Sequence, residues 1–225
     1  MSCSCCTRET IERHFDARKV REDLDRFRAH GPDPTTRMLI EAVRKALTRL
    51  GGPNLTLLDV GAGVGTIHHV MLDGDVERAV HVEIAPSFLE AAKEETERRH
   101  HGSQVAFVQG DFVVIAPTVA PADVVTLDRV ICCYADMEPL VRLSAAKARR
   151  LYAAVYPRRE WWVRLLTALE NGGRRLKGWK FRTFLHPPAA IRATLEQSGL
   201  QPLEIRRTAV WEVAVYGRSA QAERD

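Results

Sequence analysis

An α/β fold built around a mainly parallel sheet is what this sequence predicts, and three observations carry the prediction. Short apolar runs alternate with helical stretches from Thr56 onward. The first run passes through a glycine-rich turn straight into a helix. Near its end the chain has two adjacent strand-like segments that read as a hairpin. Such alternation places helices on both faces of a parallel sheet. The 225 residues suit one domain with an appendage. A hydrophobic fraction of 45% with 28% charged residues excludes a wholly disordered chain. A chain this long buries roughly 70% of its unfolded surface and needs no disulfide or metal staple.

The elements follow in order. Met1–Cys6 is a cysteine-rich tip. Arg8–Ala29 carries seven basic and six acidic residues, and Ile11, Phe15, Leu24 and Phe27 are spaced for one or two amphipathic helices. Gly31-Pro32-Asp33-Pro34 is a breaker. Residues 1–34 therefore form a tip and helical extension, 35–218 the main domain and 219–225 a tail. Thr35 or Thr36 caps a helix to about Leu50, with Leu39, Val43, Ala46 and Leu47 on its buried stripe. Strands are expected at Thr56–Val60, Ala79–Ile84, Val105–Gln109, Asp123–Leu127 and Leu151–Tyr156. Helices fit at Thr66–Leu72, Pro86–His100, Leu140–Ala148, Trp161–Leu169 and Pro188–Ser198. Leu203–Ala209 and Trp211–Tyr216 make the hairpin. In the helix after Glu160, Trp161, Trp162, Leu165, Leu166 and Leu169 share one face.

Charge and cysteine usage narrow the partners. Net charge is +4, from 33 Lys and Arg against 29 Asp and Glu. Pro139–Arg182 holds twelve of the bases and only two acids, so that segment is +10 and the remainder −6. A local basic field favours an anionic partner, or is a solvated helix face. Five clustered cysteines, an odd number without an export signal, point to a reducing, cytoplasmic setting. The longest uncharged run, Val60–Leu72, is 13 residues with three glycines, short of the roughly 20 apolar residues of a membrane span.

The stretch that carries function is Asp59-Val60-Gly61-Ala62-Gly63-Val64-Gly65-Thr66. Glycines at a strand-to-helix turn let the backbone approach a ligand closely, and the helix start offers N–H groups. A dinucleotide turn reads G-x-G-x-x-G, whereas this one reads G-x-G-x-G with Thr66 in the last place. Asp59 at the strand end is poorly placed for a pyrophosphate and well placed for an ammonium group. A nucleoside with a cationic amino-acid tail, S-adenosylmethionine, meets that description. Glu83 ends the second strand, 18 residues after Gly65, where a carboxylate faces the ligand crevice and can accept both ribose hydroxyls. Asp111, after Gly110, stands where an adenine amine needs an acceptor, and Phe112 can cover the base.

These three acids, in this order and spacing, resemble class I S-adenosylmethionine-dependent methyltransferases over about Thr35–Arg218. The resemblance implies a Rossmann-like, doubly wound, seven-stranded sheet whose last strand is antiparallel. It also implies donor contacts from Asp59, Gly61, Ala62, Gly63, Gly65, Glu83, Ile84, Gly110, Asp111, Phe112 and Asp128. A narrower resemblance, to bacterial small-molecule methyltransferases related to magnesium-protoporphyrin O-methyltransferases, rests on Gly31-Pro32-Asp33-x-Thr35-Thr36-Arg37 and on Leu127-Asp128-Arg129-Val130-Ile131-Cys132-Cys133-Tyr134.

The expected acceptor is a small, anionic or apolar ring-containing molecule. The N-terminal helices and the basic, aromatic insertion 161–187 are expected to cap its pocket. Asp128 orients a nucleophile or acts as a base, or else simply pairs with Arg129. Tyr134 is a wall or a hydrogen-bond donor, or else a core-packing residue, and His186 a base or a loop histidine. Cys132 and Cys133 read as buried small residues. No metal is expected, since Cys3, Cys5 and Cys6 lack zinc-site spacing. Residues 172–182 could also touch an anionic membrane surface. The rival readings are an RNA methyltransferase, for which no RNA-binding module is visible, and a non-catalytic module that binds the cofactor and regulates a partner. A nicotinamide oxidoreductase is disfavoured by Asp59 and Thr66.

Overall fold

The computed structural model describes residues 10–11 and 14–218; Cys3, Cys5, Cys6 and the tail 219–225 lie outside the described residues. The chain runs α1 (Ala17–His30), α2 (Pro34–Leu50), β1 (Thr56–Val60), α3 (Thr66–Leu72), β2 (Arg78–Glu83), α4 (Pro86–Arg98), β3 (Val105–Gln109), α5 (Phe112–Ile115), β4 (Ala122–Asp128), α6 (Glu138–Ala145), β5 (Ala148–Pro157), α7 (Trp161–Leu176), α8 (Pro188–Gln197), β6 (Leu200–Arg207) and β7 (Trp211–Arg218).

The seven strands lie in the order β3-β2-β1-β4-β5-β7-β6. β1 pairs in parallel with β2 and β4, and β2–β3 and β4–β5 are parallel too. Only β7 is antiparallel, slotted between β5 and β6. Strand order reverses on either side of β1, and in such sheets the ligand crevice opens at the carboxyl ends beside that reversal. The expected doubly wound sheet with its antiparallel last strand is therefore present.

The strands are apolar on both sides because both sides are covered. Leu57, Val124, Leu151, Val155 and Val213 pack in one cluster with Leu39, Val43 and Leu47 of α2 and Ile67 and Met71 of α3. The intervening residues Leu58, Val60, Val125, Leu127 and Tyr152 pack with Leu140 and Val141 of α6 and Ile191 and Leu195 of α8. A third cluster joins Val20, Leu24 and Phe27 of α1 to Val64, Phe88, Ala91 and Phe181. That packing lays α1 across the turn after β1.

Several boundaries differ from the sequence reading: α6 is Glu138–Ala145 rather than Leu140–Ala148, β5 already starts at Ala148 and β6 at Leu200, and two further differences have a visible cause. The cap of α2 is Asp33, not Thr35 or Thr36. Its carboxylate accepts both threonine N–H groups at 2.9 and 3.2 Å, and Pro34 takes the first helical position, where a missing N–H costs nothing. α7 continues to Leu176 through Gly172 and Gly173, instead of stopping near Leu169. Its last turns are held by Asn171, which exchanges hydrogen bonds with the Thr183 backbone at 2.8 and 3.0 Å.

A carboxylate and a histidine layer stiffen the half of the fold that carries the turn. Glu95 of α4 is fully buried and accepts Nε of Arg28 at 2.8 Å, of Arg98 at 2.8 Å and of Arg99 at 2.6 Å. Burial pushes its carboxyl up, but the three guanidiniums outweigh that and hold it well below the usual carboxylate range. The Arg28 contact clamps α1 to α4. Beneath the turn, His69 Nδ1 lies 3.2 Å from His101 Nδ1, and the His68 ring lies 4.3 Å from His69 and 5.2 Å from His81. Burial pushes His69 down to about 2 and lowers His81 and His101 as well.

Two predictions follow from those groups. An unfolded histidine titrates near 6.5, so below that pH the unfolded chain binds protons that the buried neutral rings refuse. Stability is then complete above about pH 6.5 and falls as pH drops below it. From pH 7.5 to 5.5, His69 alone should cost roughly 1.3 kcal/mol, with His81 and His101 adding to it. Urea unfolding at the two pH values measures this, and equal stabilities would refute it. Separately, Glu95→Gln leaves three guanidiniums around a neutral group. It should destabilise the fold by about 1.5–3 kcal/mol at pH 7. A thermal midpoint unchanged from the parent would show that the clamp carries no weight.

Candidate active site

The carboxyl ends of β1, β2 and β4 open into a cavity of about 400 Å³. Its floor is the turn after β1. Gly61 has φ +64°, and a Cβ there would lie 2.5 Å from Val130 Cγ2, so only glycine lets the turn pass beneath the loop after β4. The amides of this turn are already engaged: Gly61 and Ala62 donate to the Val82 carbonyl at 2.8 and 3.2 Å, and Gly63 donates to Glu83 Oε2 at 3.0 Å. What residues 61–63 present to the cavity is closeness of approach rather than free N–H groups. Gly65 does not line the cavity. It has φ +85°, and a Cβ there would sit 2.5 Å from the His68 ring, so its task is to turn the chain into α3.

Three acids stand at the strand ends. Asp59 is buried; its Oδ1 accepts the Thr126 hydroxyl at 2.8 Å, and its Oδ2 lies 3.3 Å from His68 Nδ1. Those contacts hold the carboxylate and leave acceptor positions toward the cavity. Glu83 accepts Ile84 N at 2.8 Å and Ala85 N at 3.0 Å on Oε1, in addition to Gly63 N. Burial raises its pKa, backbone N–H donors oppose the rise, and the Asp59 charge adds to it. Three of its roughly four acceptor positions are taken. One is left for a ligand hydroxyl, where the sequence reading had two ribose hydroxyls on this carboxylate.

Asp128 is the third acid, and Arg129 grips it through Nε on Oδ1 and Nη2 on Oδ2, both at 2.9 Å. Arg129 Nη2 also donates to Asp33 Oδ2 at 2.6 Å and to Thr36 Oγ1 at 2.8 Å. The Thr36 hydroxyl in turn lies 2.5 Å from Asp128 Oδ2. The Gly31–Arg37 and Leu127–Tyr134 motifs, far apart in sequence, thus meet in one network on the cavity wall. Burial raises the Asp128 pKa against the pull of Arg129 and Thr36; for Asp33 burial also pushes upward, but the Arg129 charge and the hydrogen bonds from Arg129 and Thr36 together outweigh it and lower the pKa. Arg129 has φ +61°, an uncommon left-handed conformation for a residue with a side chain, and this network holds it there.

The other expected residues divide. Ile84, Gly110, Phe112 and Tyr134 line the cavity. Asp111 does not: it caps α5 through Val113 N at 3.0 Å and accepts the Tyr134 hydroxyl at 2.7 Å. It stands one residue behind the wall. Burial and the Asp111 charge raise the Tyr134 pKa well above the usual phenol, so Tyr134 is a neutral wall, not a base. His186 is also outside the lining; its Nε2 lies 2.8 Å from the Tyr134 carbonyl. No residue of 161–187 lines this cavity. Cys132 is buried, as expected, while Cys133 reaches the cavity. Among the described residues no cluster of His, Cys, Asp and Glu could hold a metal ion.

The sequence reading set the N-terminal helices over the acceptor pocket but named no residue of that opposite wall as lining it. α1 and the residues before it contribute Phe15, Lys19, Asp23, Arg26 and Phe27, and α4 contributes Phe88. The amphipathic spacing of Phe15 and Phe27 was visible, but nothing local says which surface that stripe covers. In all, five acids (Asp23, Asp33, Asp59, Glu83 and Asp128) and three bases (Lys19, Arg26 and Arg129) line the cavity. All three acids at the strand ends lie on the β1–β2–β4 side. That is a field for a cationic ligand.

Comparison with known proteins agrees with this geometry. A family model described as a methyltransferase domain matches residues 52–174. Among solved structures, magnesium protoporphyrin IX methyltransferase (ChlM) from Synechocystis with bound SAH superposes with a TM-score of 0.70 at 20% identity, covering 95% of this chain and 100% of that one. An O-methyltransferase family protein from Burkholderia thailandensis gives 0.64 at 17%, covering 92% and 61%. A putative methyltransferase from Haloferax volcanii, in complex with the activator Trm112, gives 0.63 at 14%, covering 92% and 96%. No curated protein sequence matches the chain. The glycine turn, the strand-end acids and the matched family together place this chain in the methyltransferase domain family, as a class I S-adenosylmethionine-dependent methyltransferase.

Proposed function

We propose that the enzyme methylates a small molecule that is anionic or carries an apolar ring system, within the compartment between α1 and the strand ends. The observation that carries this reading is the wall made by α1. Phe15 and Phe27 put aromatic surface beside the charges of Lys19 and Arg26. The Arg28–Glu95 pair and the apolar cluster of Val20, Leu24 and Phe27 fix that wall across the cavity. A compartment closed on this side suits a compact acceptor better than a polymer. The neighbour named magnesium protoporphyrin IX methyltransferase supports a ring-bearing acceptor as the class to test first.

For the donor, Asp59 is the acceptor of the ammonium group and Glu83 of one ribose hydroxyl. Gly61, Ala62 and Gly63 allow close approach of the amino-acid portion. Ile84, Gly110 and Phe112 wall the space for the base, with Asp111 acting through Tyr134. Bound S-adenosylmethionine supplies a methyl group already activated on a sulfonium. The protein's contribution is then alignment, which needs no strong base. Asp128, held by a guanidinium and a hydroxyl, shapes the wall near the acceptor through Arg129 and takes no proton. His186 keeps the Tyr134 backbone in place from outside the cavity.

Calorimetry should show binding of S-adenosylmethionine and its demethylated product and none of NAD; the reverse pattern would overturn the assignment. Glu83→Ala removes a charged hydrogen-bond acceptor worth about 1.5–3 kcal/mol, so donor affinity should fall roughly 10–150-fold. Because the same carboxylate holds three amides, the thermal midpoint should fall with it. A folded variant with full donor affinity would place the ribose elsewhere. Incubation with methyl-labelled S-adenosylmethionine, against a metabolite extract and against total RNA, decides the acceptor class. Label is expected in a small molecule, and label confined to RNA would contradict the reading.

A further inference from the structure

α7 is built inside out. In a globular protein an amphipathic helix turns its apolar stripe to the core. Here Trp161, Leu165, Leu166, Leu169 and Leu176 are between 50% and 91% exposed, and Val163 is the one buried residue of the helix. Residues 161, 165 and 169 follow one another at four-residue spacing, so they form a continuous stripe. The polar side faces the protein instead: Asn171 pairs with the Thr183 backbone, and Arg174 Nη1 donates to Thr183 Oγ1 at 2.9 Å. The anchoring is specific, so the outward stripe is not a loosely held element turned the wrong way. A contiguous exposed apolar surface of this kind marks a docking face.

Charge identifies the occupant. Gly172–Arg182 carries Arg174, Arg175, Lys177, Lys180 and Arg182 with no acid, and Trp179 beside them is 41% exposed. A second copy docking on this stripe would bring two such cationic segments together. An anionic bilayer attracts them, and tryptophans favour the headgroup layer. No described helix is long and apolar enough to cross a membrane, so a helix lying in the interface is the fitting mode. We propose that α7 docks the enzyme on an anionic lipid surface, with its leucine stripe in the interfacial layer and the 172–182 segment on the headgroups. The sequence expectation of contact through 172–182 thereby gains its apolar half. The docking face is also joined to the cavity rim. After α7 the chain buries Phe181 against His14 and Phe15, and Phe184 N donates to the Cys132 carbonyl at 2.8 Å, next to the lining residues Cys133 and Tyr134. The inference does not depend on the acceptor's identity.

Sedimentation with vesicles of phosphatidylcholine alone, and of phosphatidylcholine mixed with phosphatidylglycerol, tests it on the full chain. Binding is expected to the mixed vesicles, weakening as salt rises, and little to phosphatidylcholine alone. Leu165→Gln with Leu169→Gln should abolish sedimentation while affinity for S-adenosylhomocysteine stays at the parent value, since neither residue lines the cavity. The triple change Arg175→Gln, Lys177→Gln and Lys180→Gln should weaken vesicle binding by roughly 100-fold, at about tenfold or less per basic residue. Absence of parent binding to either vesicle would overturn the proposal. So would leucine variants that bind as well as the parent. A parent dimer in sedimentation equilibrium that those leucine changes split to monomers would reassign the face to a second copy.

Discussion

Holding the buried acids Asp59 and Glu83 and the largely enclosed Asp128 at the ends of adjacent strands is the constraint on which the rest of this structure turns. β2, β1 and β4 are neighbours, and strands in a sheet lie roughly 4.8 Å apart. Three carboxylates there repel one another and lose water together. Each is retained by a different device: a threonine hydroxyl and a histidine for Asp59, three backbone amides for Glu83, a guanidinium and a threonine for Asp128. Burial still raises the pKa of Glu83 and Asp128. A cationic ligand relieves that stress, which is the physical reason a sulfonium-bearing amino acid suits this crevice and a pyrophosphate does not.

The same devices tie the site to the scaffold. Asp33 starts α2 and also receives Arg129, so the cap of a core helix and the wall of the cavity are one hydrogen-bonded unit. Glu95 draws Arg28 inward and sets α1 over the turn. His68 connects Asp59 to the buried ring layer of His69 and His81. A change in that layer reaches the donor end of the cavity through one contact.

Much of this was legible in the sequence because local chemistry decided it. β1, α3 and β3 begin and end where the apolar runs and turns said they would, and Asp59 and Glu83 stand at strand ends facing the crevice. Asp111 was legible as an acid at the right place, but an aspartate opening a short helix caps that helix, and the same Oδ1 that takes the Val113 amide also accepts the Tyr134 hydroxyl. The Asp33 cap was in plain sight as Asp-Pro, and aspartate is the better cap by type, though threonine is also a favoured one. The histidine layer left no periodic signal, since His81 sits on a strand and His101 after a helix. α7 shows the deeper limit. Its pattern says that Trp161, Leu165 and Leu169 share a face, and no pattern within the helix says which side of it meets the protein.

The assignment of the strand-end acids is tested most directly by a crystal structure of the enzyme with S-adenosylhomocysteine bound. The ligand should lie along the turn 61–63, with its amino group against Asp59 and a ribose hydroxyl on Glu83, while Arg129 stays on Asp128 and Asp33. A ligand bound outside this cavity, or inside it with the amino group turned away from Asp59, would contradict the reading of these acids as the donor site.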